Sequence, residues 1–397
     1  MRALEARKAD QGHWHQTLRY TPYTARIAAL MQGSHWSNWS GYHSAQKVLD
    51  EELEYFAIRS TTALFDVSPM TKYSINGPDA EAFLNRMTLR DVTRHAVMRV
   101  QYTAWCDDEG QVLDDGTLFR FGPNDFRLCA QERHLPWLQD CAIGYDLTIR
   151  EVTEEIAGLA VQGPTSCAVL KQAGFAGVEE LKPFQMRDYD GVMVSRTGFT
   201  GDLGYEVWVA AAGALDVWDR IWDAGQTRGI SSIGYVALNK ARIETGFIVA
   251  QADFVAAWSV LREDRGRRPD EIGLGWLLDF KKGQFNGRRA LLANKPRHCL
   301  VGLEIEGNVP ADGAVVYHTG KKVAGIITAA CWSPMAKRNI ALASLDLPYG
   351  DAVKDGLWVE IYALRELRYY KAMKRAKVVP RPFVVLPRRT LTPPADC

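Results

Sequence analysis

One carboxylate is distinguished by its surroundings in the sequence. Glu206 lies within an apolar run that continues through residues 207–209, and a loop with glycines at positions 198, 201 and 204 precedes it. Glycine allows the backbone conformations that such a tight connection needs. Burying a carboxylate is costly unless hydrogen bonds compensate it, and two parallel N–H donors of a flat heterocycle such as a pterin would do so. The segment therefore predicts a ring-binding carboxylate, with an exposed Glu on an edge strand as the alternative.

An acidic pair is the second candidate for chemistry. Asp114 and Asp115 lie between apolar residues of one predicted strand. Because neighbouring strand residues point to opposite faces, only one of the two can face a given cavity. Thr117 and Phe119 share the face of Asp115 by the same alternation. The alternative is a pair of solvated acids beside a turn.

A third candidate is an aromatic segment near the N-terminus. Residues 35–43 fit neither strand alternation nor a helical face. Large rings with polar tips are typical of small-molecule pockets, so we expect them to form a substrate wall; the alternative is a loop packed on the core. The residues proposed for this wall are His35, Trp36, Trp39, Tyr42 and His43.

The elements that must position these residues follow from hydrophobic periodicity. Residues 72–75, 101–106, 113–121 and 159–161 read as strands, and residues 78–89 read as a helix. The stripe Leu215, Trp218, Ile221 and Trp222 predicts a helix packed on the core. The pattern after residue 297 changes to short strands separated by Gly and Pro, which predicts a C-terminal all-β domain. Residues 258–273, rich in Arg, Asp and Glu, predict an exposed connection.

Composition narrows the class of protein. The 397 residues exceed what one core usually serves, so two or three subdomains are expected. A net charge of +1 gives no global field for nucleic acid or membrane. The chain shows no secretory leader and no long apolar run, and its seven cysteines are scattered, which favours a cytoplasmic location. The eight histidines show no metal-ligand spacing, so we expect no metal site.

Seven short motifs occur in register along the chain, at 65–70, 110–115, 161–164, 195–209, 242–246, 273–276 and 333–334. Together they resemble the tetrahydrofolate-dependent aminomethyltransferase family, that of the glycine-cleavage T-protein. Its relatives include the sulfoniopropionate demethylase and the demethylases of methoxylated aromatic acids. The resemblance runs from about residue 21 to residue 382.

The resemblance implies an α+β fold in which three domains form a cloverleaf around a central folate channel, the last being a small β-barrel. The boundaries we expect are 1–50 with 145–255 for a discontinuous folate-binding α+β domain, 51–144 for a second α+β domain, 256–296 for a connecting segment and 297–397 for the barrel. Tetrahydrofolate is the implied cofactor. A basic segment, residues 365–389, is either a solvated surface or a docking site for the glutamate tail of the folate.

Site residues follow from the same resemblance. Asp115 is expected to face the reacting atoms and Tyr102 to lie beside the folate, so these two are the candidate catalytic residues. Glu206 is expected to pair with the pterin ring. The remaining folate-contacting candidates are Tyr102, Thr117, Phe119, Phe184, Phe199 and Trp276.

Two departures from the family pattern bear on the reaction. Leu238 stands where the T-protein has an arginine, and Pro69 stands where it has a histidine. These losses favour the demethylase relatives. The His and Tyr residues of 35–43 suit an aryl-ether donor, so we expect a demethylase that moves a methyl group from a methoxylated aromatic acid to N5 of tetrahydrofolate. A His or Tyr of residues 35–43 would then protonate the leaving oxygen.

Other functions stay open. The donor could be a sulfonium or a methylamine, or the chain could be a glycine-cleavage aminomethyltransferase. In a different class, the chain could be a non-catalytic folate-binding maintenance protein. The expected partner is a small methylated substrate, with neither nucleic acid nor membrane involved, and the expected assembly is a monomer or homodimer.

Overall fold

The computed structural model describes residues 17–262 and 265–394. Its helices are α1 (Thr24–Leu30), α2 (Glu51–Ser60), α3 (Ala80–Met87), α4 (Leu135–Cys141), α5 (Ser166–Gln172), α6 (Ala214–Gly225), α7 (Tyr235–Thr245) and α8 (Arg288–Ala293). No helix in these residues is both long and apolar enough to cross a lipid bilayer.

The strands form a hairpin, two open sheets and a closed barrel. They are β1 (Trp36–Trp39), β2 (Tyr42–Ala45), β3 (Thr62–Asp66), β4 (Thr71–Asn76), β5 (Arg99–Cys106), β6 (Val112–Gly122), β7 (Asp125–Ala130), β8 (Thr148–Glu151), β9 (Ile156–Gln162), β10 (Met186–Tyr189), β11 (Val192–Ser195), β12 (Gly204–Ala210), β13 (Ile230–Ser232), β14 (His298–Ile305), β15 (Val315–His318), β16 (Lys322–Ser333), β17 (Arg338–Asp346), β18 (Leu357–Arg365) and β19 (Arg368–Val379).

The first sheet has the strand order β10-β11-β12-β9-β3-β13, in which only the β13–β3 pair is parallel. One hydrophobic core joins this sheet to α1, α5 and α6. Trp218 and Ile221 of α6 are buried there, as the helical stripe predicts, whereas Leu215 at the start of the stripe is 37% exposed.

The second sheet is antiparallel, with the order β5-β6-β7-β4-β8, and α3 buries Phe83, Leu84 and Met87 against it. Two expected domain boundaries differ from this arrangement. Strand β3 pairs with β9 of the first sheet, although residues 51–144 were assigned to the second domain. Strand β8 pairs with β4, although residues 145–255 were assigned to the first domain. Hydrophobic pattern shows that a strand exists but not which partner it pairs with.

The C-terminal strands close into a barrel, in the order β14-β17-β16-β15-β18-β19, around an apolar core of their own. The predicted α+β fold with a C-terminal β-barrel is thereby confirmed. The expectation of an exposed connection at residues 258–273 is wrong in its second half, because Pro269, Glu271 and Ile272 are buried. The Glu271 carboxylate accepts the backbone N–H groups of Arg297 and His298, which fixes the segment to the first barrel strand.

A buried polar network joins the barrel to the first sheet. Arg59 of α2 donates to Glu244 of α7 at 2.7 Å and to Asp202 at 3.3 Å, and Ser333 at the end of β16 also donates to Glu244. Arg388 also belongs to the network, because its Nε donates to Asp202 Oδ1 at 2.6 Å. The acid of the 242–246 motif and the serine of the 333–334 motif therefore hold domains together.

Residues 36–45 form a β-hairpin, which corrects the expectation of an irregular segment. Trp36 pairs with Ala45 and Trp39 with Tyr42, around a turn whose Ser40 and Gly41 have φ angles of 50° and 86°. Both strands are four residues long; β1 is half-buried at three positions and β2 is buried at three, so no alternation of apolar and polar residues marks them.

Candidate active site

Tyr102 and Asp115 meet on neighbouring strands. Tyr102 of β5 lies opposite Thr117 of β6, and its hydroxyl donates to Asp115 Oδ2 at 2.7 Å. The Tyr102 ring also stacks on Trp276, with ring centroids 6.1 Å apart and planes 24° apart. Three of the predicted site residues thus lie together, drawn from the second sheet and from the segment that precedes the barrel.

Strand alternation separates the two aspartates. Asp114 is fully buried and accepts the backbone N–H groups of Asp115 at 2.8 Å and Glu132 at 2.9 Å, close to His134. Asp115 is half-buried on the side of Tyr102. The alternative of two solvated acids is therefore wrong, and Asp114 is a structural carboxylate.

The protonation state of Asp115 is balanced near neutral pH. Burial raises its pKa to about 7, and the charges of Asp114 and Asp253 add to the effect, while the hydrogen bond from Tyr102 opposes it. Burial and the same carboxylate raise the pKa of Tyr102 well above its usual value, so this hydroxyl keeps its proton. A carboxyl group poised in this way can accept or donate a proton during a reaction.

A second polar group lies within range of Asp115 and was missed in the sequence. Asp253 pairs with Arg242 of α7 and accepts a hydrogen bond from Thr328 Oγ1 at 2.6 Å. The pKa of the Tyr235 hydroxyl is raised by burial and by Asp253, while Arg242 opposes the shift. A buried arginine needs an acid partner, so Arg242 was the signal that could have directed attention to Asp253.

Glu206 on β12 is half-buried with one identified partner. Thr197 Oγ1 donates to Glu206 Oε2 at 2.6 Å, and Ser195 Oγ lies 2.7 Å from the same threonine oxygen. Burial raises the pKa of Glu206, and the Thr197 hydrogen bond partly opposes this. Within residues 17–262 and 265–394, no hydrogen bond reaches Glu206 Oε1. That oxygen can accept an N–H from a ring, so the carboxylate fits the pterin of a folate.

The loop before Glu206 uses its glycines in two ways. Only Gly201 has a positive φ, 71°, and a Cβ there would lie 1.9 Å from Thr245 Oγ1. At Gly198 and Gly204 a Cβ would lie 2.1 Å and 2.2 Å from Gln162 Oε1. Gln162 donates to the carbonyl groups of Thr197 and Tyr205. The 161–164 motif therefore fixes the backbone of the loop that precedes Glu206.

The other predicted folate contacts divide into half-exposed and buried residues. Phe199 stacks on Phe247 at 5.3 Å, and Phe184 is 38% exposed at a positive φ of 62°. Thr117 is half-buried beside Tyr102. Phe119 is a correction, because it is fully buried against Trp208, 5.7 Å between centroids, in the core shared by the two sheets. Strand alternation predicts which face of the sheet a side chain lies on, but not how deeply the side chain is buried.

The aromatic hairpin does not form one wall. Trp39 stacks on Phe65 in the core shared by the two sheets, and its indole N–H is buried without a partner. His43 instead stacks on Tyr20 and contacts Trp36, and His35 is exposed.

Tyr42 also lies away from Asp115. Its ring is beneath Arg19, 4.3 Å from the guanidinium, and its hydroxyl donates to Glu154 at 3.4 Å. It lines a cavity of about 520 Å³ whose wall includes neither Asp115 nor Tyr102. Of the five predicted wall residues, only Trp39 packs into the core that the two sheets share.

The position of the missing arginine is apolar. Leu238 of α7 is 6% exposed and packs in the shared core. Its neighbour Asn239 accepts a hydrogen bond from Arg242 Nε at 2.7 Å. No group of three or more His, Cys, Asp or Glu side chains that could hold a metal occurs in the described part of the chain.

Comparisons with known proteins match both parts of the chain to one family. Residues 1–282 match the family model of the GCVT N-terminal domain, and residues 298–384 match that of the glycine cleavage T-protein C-terminal barrel domain. The fold is similar to that of the glycine cleavage system aminomethyltransferase T from Bartonella henselae, with a TM-score of 0.81, 23% identity, and coverage of 93% of this chain and 98% of that one.

Two curated relatives carry activities in their names. The aminomethyltransferase of Bacillus subtilis is 33% identical over 83% of this chain and 90% of its own length. The trimethylamine-oxide aldolase of Ruegeria pomeroyi is 35% identical over 78% of this chain, which spans only 40% of the aldolase. The chain therefore belongs to the glycine-cleavage T-protein family, whose members are enzymes of the folate-dependent aminomethyltransferase type.

Proposed function

We propose that this chain is a tetrahydrofolate-dependent methyltransferase that removes a methyl group from a small methoxylated aromatic acid. The observation that carries the proposal is the Tyr102–Asp115 pair beside Trp276, with the pKa of Asp115 raised to about 7. An aromatic wall next to a carboxyl group that can gain or lose a proton suits an aryl ether.

Glu206 and the aromatic residues are the proposed folate contacts. The free oxygen of Glu206 would accept a ring N–H, and Phe199 and Trp276 offer flat faces to the rings. When bound, tetrahydrofolate supplies the nitrogen that accepts the methyl group. The protein's contribution is to hold donor and acceptor in line, which alone can supply much of the acceleration.

Proton supply decides whether an aryl ether is a feasible donor. An aryl methyl ether would give up its methyl group to tetrahydrofolate and leave as a phenolate, which is a poor leaving group unless it is protonated. The His and Tyr residues of the hairpin contact Tyr20, Arg19 and Glu154 rather than the Tyr102–Asp115 pair. We therefore assign the proton to Asp115, whose raised pKa leaves a large share of the carboxyl group protonated at pH 7.

A methylated amine or amine oxide is the second candidate donor. The name of the Ruegeria pomeroyi relative points to this class, and the ionised carboxylate of Asp115 would favour a cation. The aminomethyltransferase reaction named for the Bacillus subtilis relative is the third. Against it stands Leu238, which leaves an apolar residue where the T-protein has a charged one.

A donor screen tests the proposal directly. The purified protein is incubated with tetrahydrofolate and, separately, with methoxybenzoic acids, a sulfonium, methylated amines and an aminomethylated lipoyl carrier protein. We expect 5-methyltetrahydrofolate and a free phenol from a methoxybenzoic acid, with loss of activity in Asp115→Asn. Methylenetetrahydrofolate from the lipoyl carrier would instead establish glycine-cleavage activity. Folate binding without turnover of any donor would establish a binding protein.

A further inference from the structure

Arg90 is a half-buried cation beside the Tyr102–Trp276 stack. It lies in the loop between α3 and β5, and its guanidinium is 5.6 Å from the centroid of the Trp276 ring. Its Nη1 donates to the backbone carbonyl of Tyr102 at 3.3 Å. The side chain is thereby held against two residues of the candidate active site, at a rim where Trp276 is 64% exposed.

The charge of Arg90 is not compensated by an acid. The adjacent Asp91 faces away, because its carboxylate pairs with Arg94 at 3.0 Å and accepts the backbone N–H and hydroxyl of Thr93. Among the described residues, no carboxylate lies within ion-pair distance of Arg90. Burial lowers its pKa, and no nearby acid opposes this shift.

A guanidinium in this setting has unused hydrogen-bonding capacity. Arginine carries five N–H donors in a planar fork that matches a carboxylate, and the structure shows one of them engaged. Arg59 and Arg242, which are more deeply buried, are paired with acids, whereas the buried Arg196 donates to backbone carbonyl groups. The unused donors of Arg90 match the geometry of a carboxylate carried by a ligand.

We propose that Arg90 and the Trp276 ring form a carboxylate-binding subsite at the rim of the active site. This rests on the proposed function, which supplies two ligands with a carboxylate: the glutamate tail of the folate and the aromatic acid donor. Both place an aromatic ring a short distance from the carboxylate, so both suit a cation stacked on an indole.

Several basic residues of the C-terminal segment contact other groups of the protein. Arg388 is held by Asp202, and Lys371 pairs with Glu360. Arg375 lies over Trp358, 5.2 Å from its centroid. Arg389 of the same segment lies over Phe247, 5.0 Å from its centroid, and Phe247 stacks on Phe199, so the interpretation of residues 365–389 as a folate-tail site stays a prediction beside the subsite at Arg90.

The test compares ligands with and without the carboxylate. Tetrahydrofolate and tetrahydropteroate, which lacks the glutamate, are titrated by calorimetry into wild type, Arg90→Gln, Arg90→Lys and the control Arg94→Gln. Arg94 is a suitable control because it lies four residues away and its side chain is 77% exposed. For the donor, KM is measured with a methoxybenzoic acid and with its primary amide. Melting temperatures establish that each variant is folded.

Two results support the subsite and separate its sources. If Arg90 binds the folate tail, Arg90→Gln lowers the affinity for tetrahydrofolate by about tenfold or more, and Arg90→Lys lowers it less. The affinity for tetrahydropteroate is then unchanged. If Arg90 binds the donor, the same substitution raises KM for the acid by a similar factor and leaves the amide unaffected. Arg94→Gln changes neither.

Other results overturn it. Unchanged binding constants and KM values for all four ligands in Arg90→Gln would show that Arg90 contacts none of them. Equal losses with and without the carboxylate would show that Arg90 only supports the aromatic wall. These outcomes leave the proposed function standing, because wild type still binds folate. A wild-type protein that binds no tetrahydrofolate would overturn the proposed function and the subsite with it.

Discussion

Asp115 couples the chemistry of the site to the stability of the protein. Its pKa is raised from 3.8 to about 7 in the folded state, so the folded protein binds more protons than the unfolded chain between these values. The contribution of Asp115 to the free energy of unfolding therefore falls as pH rises from about 4 to about 7. Above pH 7 the ionised, buried carboxylate destabilises the folded state by its full amount. A carboxyl group useful for proton transfer at neutral pH is kept at a cost in stability.

Replacing Asp115 by Asn should remove this cost. The amide oxygen can still accept the Tyr102 hydroxyl, but it carries no charge to bury. We expect the free energy of unfolding of Asp115→Asn to exceed that of wild type by about 1–3 kcal/mol at pH 8, with the difference shrinking towards pH 4. Urea unfolding across this pH range measures it. Asp108→Asn, an exposed acid on the turn between the same two strands, is the control and should follow wild type.

The same substitution tests the proton-donor role. If Asp115 protonates the leaving oxygen, Asp115→Asn should reduce kcat most for aryl methyl ethers whose phenols are weakly acidic. Ethers of acidic phenols should suffer less, because their leaving groups need less help. Rates for a series of ring-substituted donors measure this. An equal loss across the series would assign Asp115 to orientation rather than proton transfer.

Glu206 should contribute to folate binding rather than to folding. Glu206→Ala should weaken tetrahydrofolate binding by about 1.5–3 kcal/mol, the scale of hydrogen bonds to a charged group. Glu180→Ala provides the control, because this glutamate lies on the same part of the chain with a side chain 67% exposed. Titration of the folded variants measures both. Equal tetrahydrofolate affinity in Glu206→Ala and wild type would show that Glu206 does not bind the pterin ring.

Sequence predicted the site best where strand geometry alone decides the answer. Alternation separated Asp115 from Asp114, and the register of β5 and β6 brings Tyr102 to Asp115. Phe119 was misassigned because burial depth depends on what packs over the sheet, here Trp208. Asp253 was missed because its contact with Thr328 of the barrel leaves no local pattern, and because the burial of its nearer partner Arg242 is not visible in the sequence.

At the scale of elements, the joint between α2, α7 and the barrel depends on Glu244. This carboxylate is fully buried and accepts from Arg59, Tyr55 and Ser333. Removing one partner of a buried ion pair leaves an uncompensated charge, which is more costly than losing an exposed pair. The network should therefore contribute to stability although it lies outside the reacting groups.

Glu244→Gln should lower the free energy of unfolding by about 3–5 kcal/mol, because the guanidinium of Arg59 loses its nearest counter-charge. Arg338→Gln, which breaks the half-exposed pair with Glu304, should cost less than about 1 kcal/mol. Chemical unfolding of both variants measures the contrast. Similar losses in the two would show that the buried network has no special weight.

The whole molecule shows where local patterns stop being informative. Several strand and helix positions of the first 300 residues followed from periodicity, and the change of pattern after residue 297 located the barrel. The boundaries of the first two domains did not follow, because β3 and β8 each pair across the expected division. Pairing between strands far apart in sequence is decided by the packing of the complete chain, as is the position of the hairpin beside Phe65.

The proposed folate site draws on separate parts of this architecture, which leads to a prediction for the entire chain. Glu206 belongs to the first sheet, Tyr102 and Asp115 to the second, and Trp276 to the segment before the barrel. A ligand that contacts all of them stabilises their mutual arrangement, so tetrahydrofolate at about 100 times its Kd should add about 2.7 kcal/mol to the free energy of unfolding. Calorimetry should show one transition moving to higher temperature. At the same folate concentration the shift should be smaller in Glu206→Ala, because its Kd is higher. Two transitions, of which folate moves only one, would show that the ligand contacts a single domain.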